Sequence, residues 1–178
     1  MTDAYFKTLK TSWAYQNLKQ KTCFSSSINR FIDALCDSNP QMAFQTSGTT
    51  QVSSSIWYNK LTLEAHVIQT IRQLGLRPKT KALLALSLDF TGGKMTLLRA
   101  LLANMDVFVC EPKTVGQMLK NHQFAFAALV PLQVQNNIAY IQHVGLLLIG
   151  GAALSPKLEV QIKACHKNCL HGFGSTET

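Results

Sequence analysis

Apolar residues in this chain fall into two kinds of run, one spaced like a helix face and one continuous. Ile28, Phe31, Ile32, Leu35 and Cys36 recur at i, i+3, i+4, i+7 and i+8, which predicts a helix with one apolar face. Ser25-Ser26-Ser27 offers its N-cap and Asn39-Pro40 ends it. Met42–Gln45 and Ile56–Tyr58 read as two short strands of a hairpin around a polar loop. Leu63, Val67, Ile71 and Leu74 form a second helical stripe, closed by Gly75 as the C′ residue.

Ala82–Leu88 is a continuous apolar run, which suits a strand covered on both faces. Gly92-Gly93 opens the next helix, with Met95, Leu98, Leu102 and Met105 on its expected inner face. Val107–Cys110 and Phe124–Val130 read as strands, with a short helix over Val115–Asn121 between them. Leu132–Tyr140 is read as helical and Leu146–Ile149 as a strand. Ser155-Pro156 is an N-cap followed by proline at N1, and Leu158, Ile162 and Cys165 mark that helix's inner side. Leu170–Phe173 is the last expected strand. Strands alternating with helices from about residue 42 onward predict an α/β fold: a mostly parallel, open sheet with helices on both faces. Residues 1–24 show little periodicity and are expected to form an N-terminal extension, with Trp13 and Tyr15 docking on the body.

Composition narrows the class. At 178 residues the chain can bury one sizeable core, and 47% apolar against 15% charged residues is globular rather than disordered. No apolar run reaches the roughly 18 to 20 residues of a spanning helix. The polar N-terminus lacks the apolar core of a signal peptide, so a soluble, cytoplasmic protein without a membrane partner is expected. Five cysteines without framework spacing suit reduced thiols. A net charge of +8 suits an anionic partner, and nucleotides, coenzyme A and nucleic acid all qualify; the cations are scattered, without a basic block interleaved with aromatics, which argues against nucleic acid. Cys165-His166-X-X-Cys169-X-His171 lacks zinc-site spacing, and His66, His122 and His143 have no neighbouring nucleophile in the sequence.

Three loops at expected strand ends carry candidate chemistry. In strand-alternating sheets, ligands bind where the carboxyl ends of strands open into loops. Thr46, Ser47, Gly48, Thr49 and Thr50 are small and mostly hydroxylated, the makings of a phosphate nest or of an ordinary Ser/Thr-rich turn. No Gly-Lys-Ser/Thr follows, so this is not a Walker A loop. Gly150, Gly151, Ala152 and Ala153 form a small-residue loop, and Phe173-Gly174-Ser175-Thr176-Glu177-Thr178 closes the chain.

Taken in order, these segments resemble the signatures of the adenylate-forming ligases, the family of acyl-CoA synthetases, luciferases and peptide-synthetase adenylation domains. Thr46–Thr50 resembles the family's phosphate loop, although Gln51, Ser53 and Ser54 stand where that loop carries glycine, proline and lysine. Phe173–Glu177 resembles its Tyr-Gly-X-Thr-Glu motif, with Phe173 in place of the tyrosine. The segment Leu86–Met95, Arg99-Ala100-Leu101 and the segment Phe126–Val134 resemble the o-succinylbenzoate–CoA ligases of menaquinone biosynthesis, as does Lys60.

The resemblance implies a partial AMP-binding domain over 25–178, stopping before the family's ribose-binding Asp and its C-terminal lid. It implies ATP, Mg²⁺ and coenzyme A as co-substrates or cofactors, a small carboxylic acid as partner, and allows a homodimer. Thr46–Thr50, Gly150–Ala153 and Phe173–Thr176 would hold the nucleotide. Thr176 would donate to the α-phosphate and Glu177 would hold the metal. Phe90, Gly92, Gly93, Lys94 and Arg99 would meet the acid, with Lys94 and Arg99 facing a second carboxylate. A catalytically silent nucleotide- or acyl-binding relative, or a ligase for another acid, is the competing expectation.

Overall fold

The computed structural model describes residues 5–21, 25–45 and 55–172. Three helices come first: α1 (Tyr5–Thr8), continued by a 3₁₀ turn, α2 (Trp13–Lys19) and α3 (Ser26–Cys36). The hairpin strands β1 (Gln41–Gln45) and β2 (Ser55–Asn59) follow, then α4 (Lys60–Gln73), β3 (Lys81–Leu84), α5 (Thr91–Leu102) and β4 (Asp106–Val109). The chain finishes with α6 (Val115–Asn121), β5 (Phe124–Leu129), α7 (Pro131–Asn136), β6 (Val144–Ile149), α8 (Pro156–Cys165) and β7 (Cys169–His171).

β1 and β2 pair antiparallel, and the remaining strands form one parallel sheet in the order β4-β3-β5-β6-β7. The α/β expectation holds. From β3 the chain steps outward to β4, then returns past β3 to β5 and continues away from it. The direction of travel reverses between β3 and β5, which opens a crevice at their carboxyl ends.

The continuous apolar strands cover two cores. Ala82, Leu84, Phe126 and Leu146 face one, closed by α3, α4, α5 and the N-terminal helices. Leu83, Ala127, Leu129, Leu147 and Ile149 face the other, closed by Val115 and Leu119 of α6, Val134 of α7, and Leu158 and Ile162 of α8. Side chains alternate across a pleated strand, so covering both faces requires apolar residues at every position.

Residues 5–21 belong to the first core through Phe6, Leu9, Tyr15 and Leu18, while Trp13 keeps 40% of its surface exposed. The buried Glu64 carboxylate accepts the Phe6 N–H at 2.8 Å, and Lys21 donates to Asp106 and, at 2.8 Å, to the Val107 carbonyl of edge strand β4. Among the described residues no helix is long and apolar enough to cross a membrane.

Local signals act as their chemistry requires. Ser25 Oγ accepts the Ile28 N–H at 3.4 Å and Ser155 Oγ accepts the Leu158 N–H at 3.3 Å, so both expected N-caps form. Ser155→Ala should cost about 1 kcal/mol, read as a lower denaturant midpoint with an unchanged slope. Gly75 takes φ +62° at the end of α4, the left-handed conformation expected of a C′ glycine.

Three expectations need correction. β3 ends at Leu84 rather than running to Leu88, because Ala85 gives its carbonyl to a side chain and the next residues turn into α5. The buried face of α5 is Gly93, Thr96, Leu97, Leu98, Ala100 and Leu101. Met95 and Leu102 are only half-buried, because α5 packs on α4 as well as on the sheet. The helix expected to reach Tyr140 stops at Asn136, where Asn137 Nδ2 donates to the Gln133 carbonyl at 2.7 Å.

At the base of the hairpin, Lys60 is buried and its Nζ donates to the exposed Asp37 carboxylate at 2.6 Å. That bond, then the Asn39 N–H, holds the Asp37 carboxyl below its ordinary range. A lowered folded-state pKa stabilises above the unfolded value and is lost as pH falls through the folded one. Asp37→Asn should therefore flatten part of the acid limb of the stability curve, below about pH 4, measured by melts across pH.

Candidate functional site

The carboxyl edge of the parallel sheet gathers the loops that carry the candidate chemistry. After β3, Leu86–Phe90 turns back into α5. Ser87 Oγ donates to Asp89 Oδ2 at 2.8 Å and accepts the Asp89 N–H at 3.1 Å, which fixes the loop. Phe90 is the exposed N-cap residue of α5. Gly93 lies directly beneath the loop: a Cβ there would meet the Ser87 carbonyl oxygen at 2.1 Å. At Gly92 the nearest atom would be Leu86 Cδ1, at 3.3 Å. The glycine pair therefore has unequal jobs, one a close approach and the other an exposed helix residue.

Lys94 and Arg99 part company on α5. Lys94 Nζ stands 4.8 Å from the centroid of the Phe44 ring, beside the hairpin. Burial pushes its ammonium below the usual lysine range, and Asp89 partly opposes this. Arg99 turns to α4, where its Nε donates to Thr70 Oγ1 at 3.2 Å, and burial lowers its pKa too. The two cations expected to share a carboxylate thus have separate surroundings.

At the centre of the edge sits Gln133, 7% exposed. Its Nε2 donates to the Ala85 carbonyl at 2.9 Å and its Oε1 accepts the Val130 N–H at 3.0 Å. One side chain therefore ties the ends of β3 and β5 across the switch point. The sequence carries a signal for it: a glutamine at N3 of a helix that opens with proline at N1, where an amide side chain reaches back to the N-cap. Only the second bond, to Ala85, requires the tertiary structure.

Gly150 follows β6, and its N–H donates to the Leu129 carbonyl at 3.2 Å. Gly151 adopts φ +83°, a conformation that favours glycine, next to Val130. Gly151, Ala152 and Ala153 are exposed. Gly172 N–H donates to the Ile149 carbonyl at 2.8 Å, so the residue before Phe173 lies against the 150–153 loop. Small side chains leave the backbone open here to close approach. Thr46–Thr50 and Phe173–Glu177 lie outside the described residues, but their flanks do not. Phe44, one pair before the open end of the hairpin, and Gly172 both stand at this carboxyl edge.

Toward β4 the same edge holds a largely apolar hollow of about 230 Å³, lined by Ile28, Leu84, Leu86, Leu88 and Val109. The histidine-cysteine segment after α8 serves the fold. His166 is buried, with Nε2 2.6 Å from the Val144 carbonyl and Nδ1 accepting the Asn168 N–H at 3.2 Å.

No family model matches the chain, and no curated protein matches it. Solved structures do. An acyl-CoA synthetase (AMP-forming)/AMP-acid ligase II-like protein from Dyadobacter fermentans DSM 18053 is 27% identical across 92% of this chain, with a TM-score of 0.77. ATP-bound MatB from Rhodopseudomonas palustris is 20% identical across 76% of the chain, with a TM-score of 0.64. E. coli MenE bound to an m-phenylether-linked analogue of OSB-AMS is 23% identical across 76%, with a TM-score of 0.61. The chain spans 50% of the length of the first of these, and 29% and 30% of the other two. Its fold is that of the N-terminal part of the AMP-forming acyl-CoA ligases.

Proposed function

We propose that this chain forms the N-terminal part of the adenylation core of an AMP-forming acyl-CoA ligase, with an o-succinylbenzoate-like diacid as its substrate. In such a reaction a substrate carboxylate attacks the α-phosphate of ATP, pyrophosphate leaves, and the thiol of coenzyme A then displaces AMP from the acyl-adenylate. Positioning and charge neutralisation carry most of that chemistry.

The observation that carries the reading is the meeting of the Gly150–Ala153 loop with Gly172 at the carboxyl edge. It puts an exposed small-residue backbone beside the residue that leads into Phe173 and Glu177. In this reading Phe173 covers the adenine, Thr176 donates to the α-phosphate, and Thr46–Thr50 surround the phosphates. Glu177 supplies a hard carboxylate oxygen suited to Mg²⁺, which when bound would neutralise phosphate charge. Phe90 and Gly92 border the acid, with Gly93 beneath the loop that leads to them, and the diacid assignment rests on the sequence segments around Lys94 and Phe126–Val134.

The measurement is ATP and AMP binding by calorimetry, followed by ATP–pyrophosphate exchange with o-succinylbenzoate and with aryl monoacids. Micromolar to millimolar nucleotide binding with acid-dependent exchange is the expected result. Binding without exchange for any acid would favour a silent nucleotide-binding relative; the lack of Lys and Arg across residues 45–59 makes that reading specific. No binding of either nucleotide would sink the proposal.

A further inference from the structure

The hairpin and its loop present a charge problem. Residues 45–59 contain neither Lys nor Arg, so every donor this stretch can offer a triphosphate, hydroxyl, amide, indole or backbone N–H, is neutral. Neutral donors orient phosphate oxygens, but charge-assisted bonds are roughly twice as strong. Lys60 cannot fill the gap. It sits at the hairpin's base, committed to Asp37, while the open end lies four pairs away, about 14 Å along the strands.

Lys94 is placed where Lys60 is not. Its ammonium lies against Phe44, the residue before the last pair of the hairpin. Among the described residues that ring is its only close partner: no ion pair or hydrogen bond ties its Nζ to a carboxylate. The acid that acts on it, Asp89, is exposed and accepts the Ser87 hydroxyl at Oδ2. A half-buried ammonium without a directly bonded anion is poorly compensated, and an arriving anion would correct that. The reversal point of the sheet, between β3 and β5, lies on the same edge.

We propose that Lys94 is the cation that answers the β- and γ-phosphates of the nucleotide and carries the charge of the departing pyrophosphate. The proposal rests on the adenylation reading and moves Lys94 from the acid's second carboxylate to the nucleotide. Phe44 holds the ammonium at the hairpin mouth by its ring face.

The test compares dissociation constants for ATP and AMP, which differ by the β- and γ-phosphates, in the intact chain, Lys94→Met and Lys94→Arg. Lys94→Met should weaken ATP binding about 10- to 100-fold while leaving AMP within about twofold, and Lys94→Arg should recover most of the ATP affinity. Equal losses for ATP and AMP, or none for either, would overturn the assignment. So would unchanged ATP binding together with lost preference for the diacid over its monoacid, which would return Lys94 to the second carboxylate. If the unsubstituted chain binds neither nucleotide, it is the adenylation reading that fails. Far-UV circular dichroism checks the fold, and Lys94→Gln provides the same comparison should the methionine variant not fold.

Discussion

Gly93→Ala should lower the free energy of unfolding by about 3 kcal/mol or more, whereas Gly92→Ala, one residue away, should be neutral or stabilising. The difference lies in what each new methyl group meets. At Gly93 the Cβ would fall 2.1 Å from the Ser87 oxygen, 2.6 Å from its carbon and 2.9 Å from the Leu86 oxygen. All three are backbone atoms, so relief requires moving the whole 86–90 loop or lifting α5 off the sheet. At Gly92 the opposing atom is the tip of a leucine, which can rotate away, and alanine gains up to about 1 kcal/mol in a helix over glycine. Urea melts of the two variants decide it; equal effects would mean the loop yields more easily than its hydrogen bonds suggest. In Gly93→Ala the shift of Phe90 and Lys94 should also weaken nucleotide binding.

The second large effect belongs to Gln133. Replacing it with leucine leaves the Ala85 carbonyl and the Val130 N–H without their partner in a buried place. At about 1–3 kcal/mol for each of the two orphaned groups, Gln133→Leu should cost about 2–6 kcal/mol.

Gln133→Glu separates the two bonds. The introduced carboxylate can still accept the Val130 N–H, but it sets a negative oxygen against the Ala85 carbonyl, so its folded pKa must rise above the unfolded value near 4.3. A raised carboxyl pKa means the folded state binds more protons than the unfolded one, so this variant should regain stability as pH falls through that pKa. That is opposite in sign to the Asp37 contribution. Thermal melts between pH 4 and pH 8 would show the crossing trends, and a parallel pH profile for Gln133→Glu and the unsubstituted chain would refute the clamp.

Much of the architecture was legible in the residues because the signals are local. The stripe Ile28-Phe31-Ile32-Leu35, the serine caps at 25 and 155 and the C′ glycine at 75 each act within one or two turns, and each formed. The alternation of helices with short apolar runs was enough to call for a parallel sheet, since a strand covered on both faces has no polar side. Where the reading slipped, a distant partner had intervened. Ala82–Leu88 looks like one strand until Gln133, 48 residues later in sequence, takes the Ala85 carbonyl. Met95 and Leu102 look like core until α4 arrives on the other flank of α5 and rotates the buried face. The N-terminal stretch has weak periodicity because its tethers, Glu64, Asn104 and Asp106, lie far along the chain.

The candidate site divides the same way. The order of small and hydroxylated loops made positions 46–50, 150–153 and 173–177 candidates, because close approach and phosphate chemistry restrict residue type. Nothing in that order said that Lys94 would lean on Phe44 while Arg99 turned to Thr70. Nor could spacing reveal that Gly93, and not Gly92, bears the weight of the β3 loop. Residue type and short-range spacing set which elements form and which loops can meet an anion; strand order and helix packing set which side chains stand free at the shared edge. The physical reason is range: caps, turns and periodicity are energies between neighbours in sequence, whereas a cation's partner is settled only when strands far apart in the chain are brought side by side.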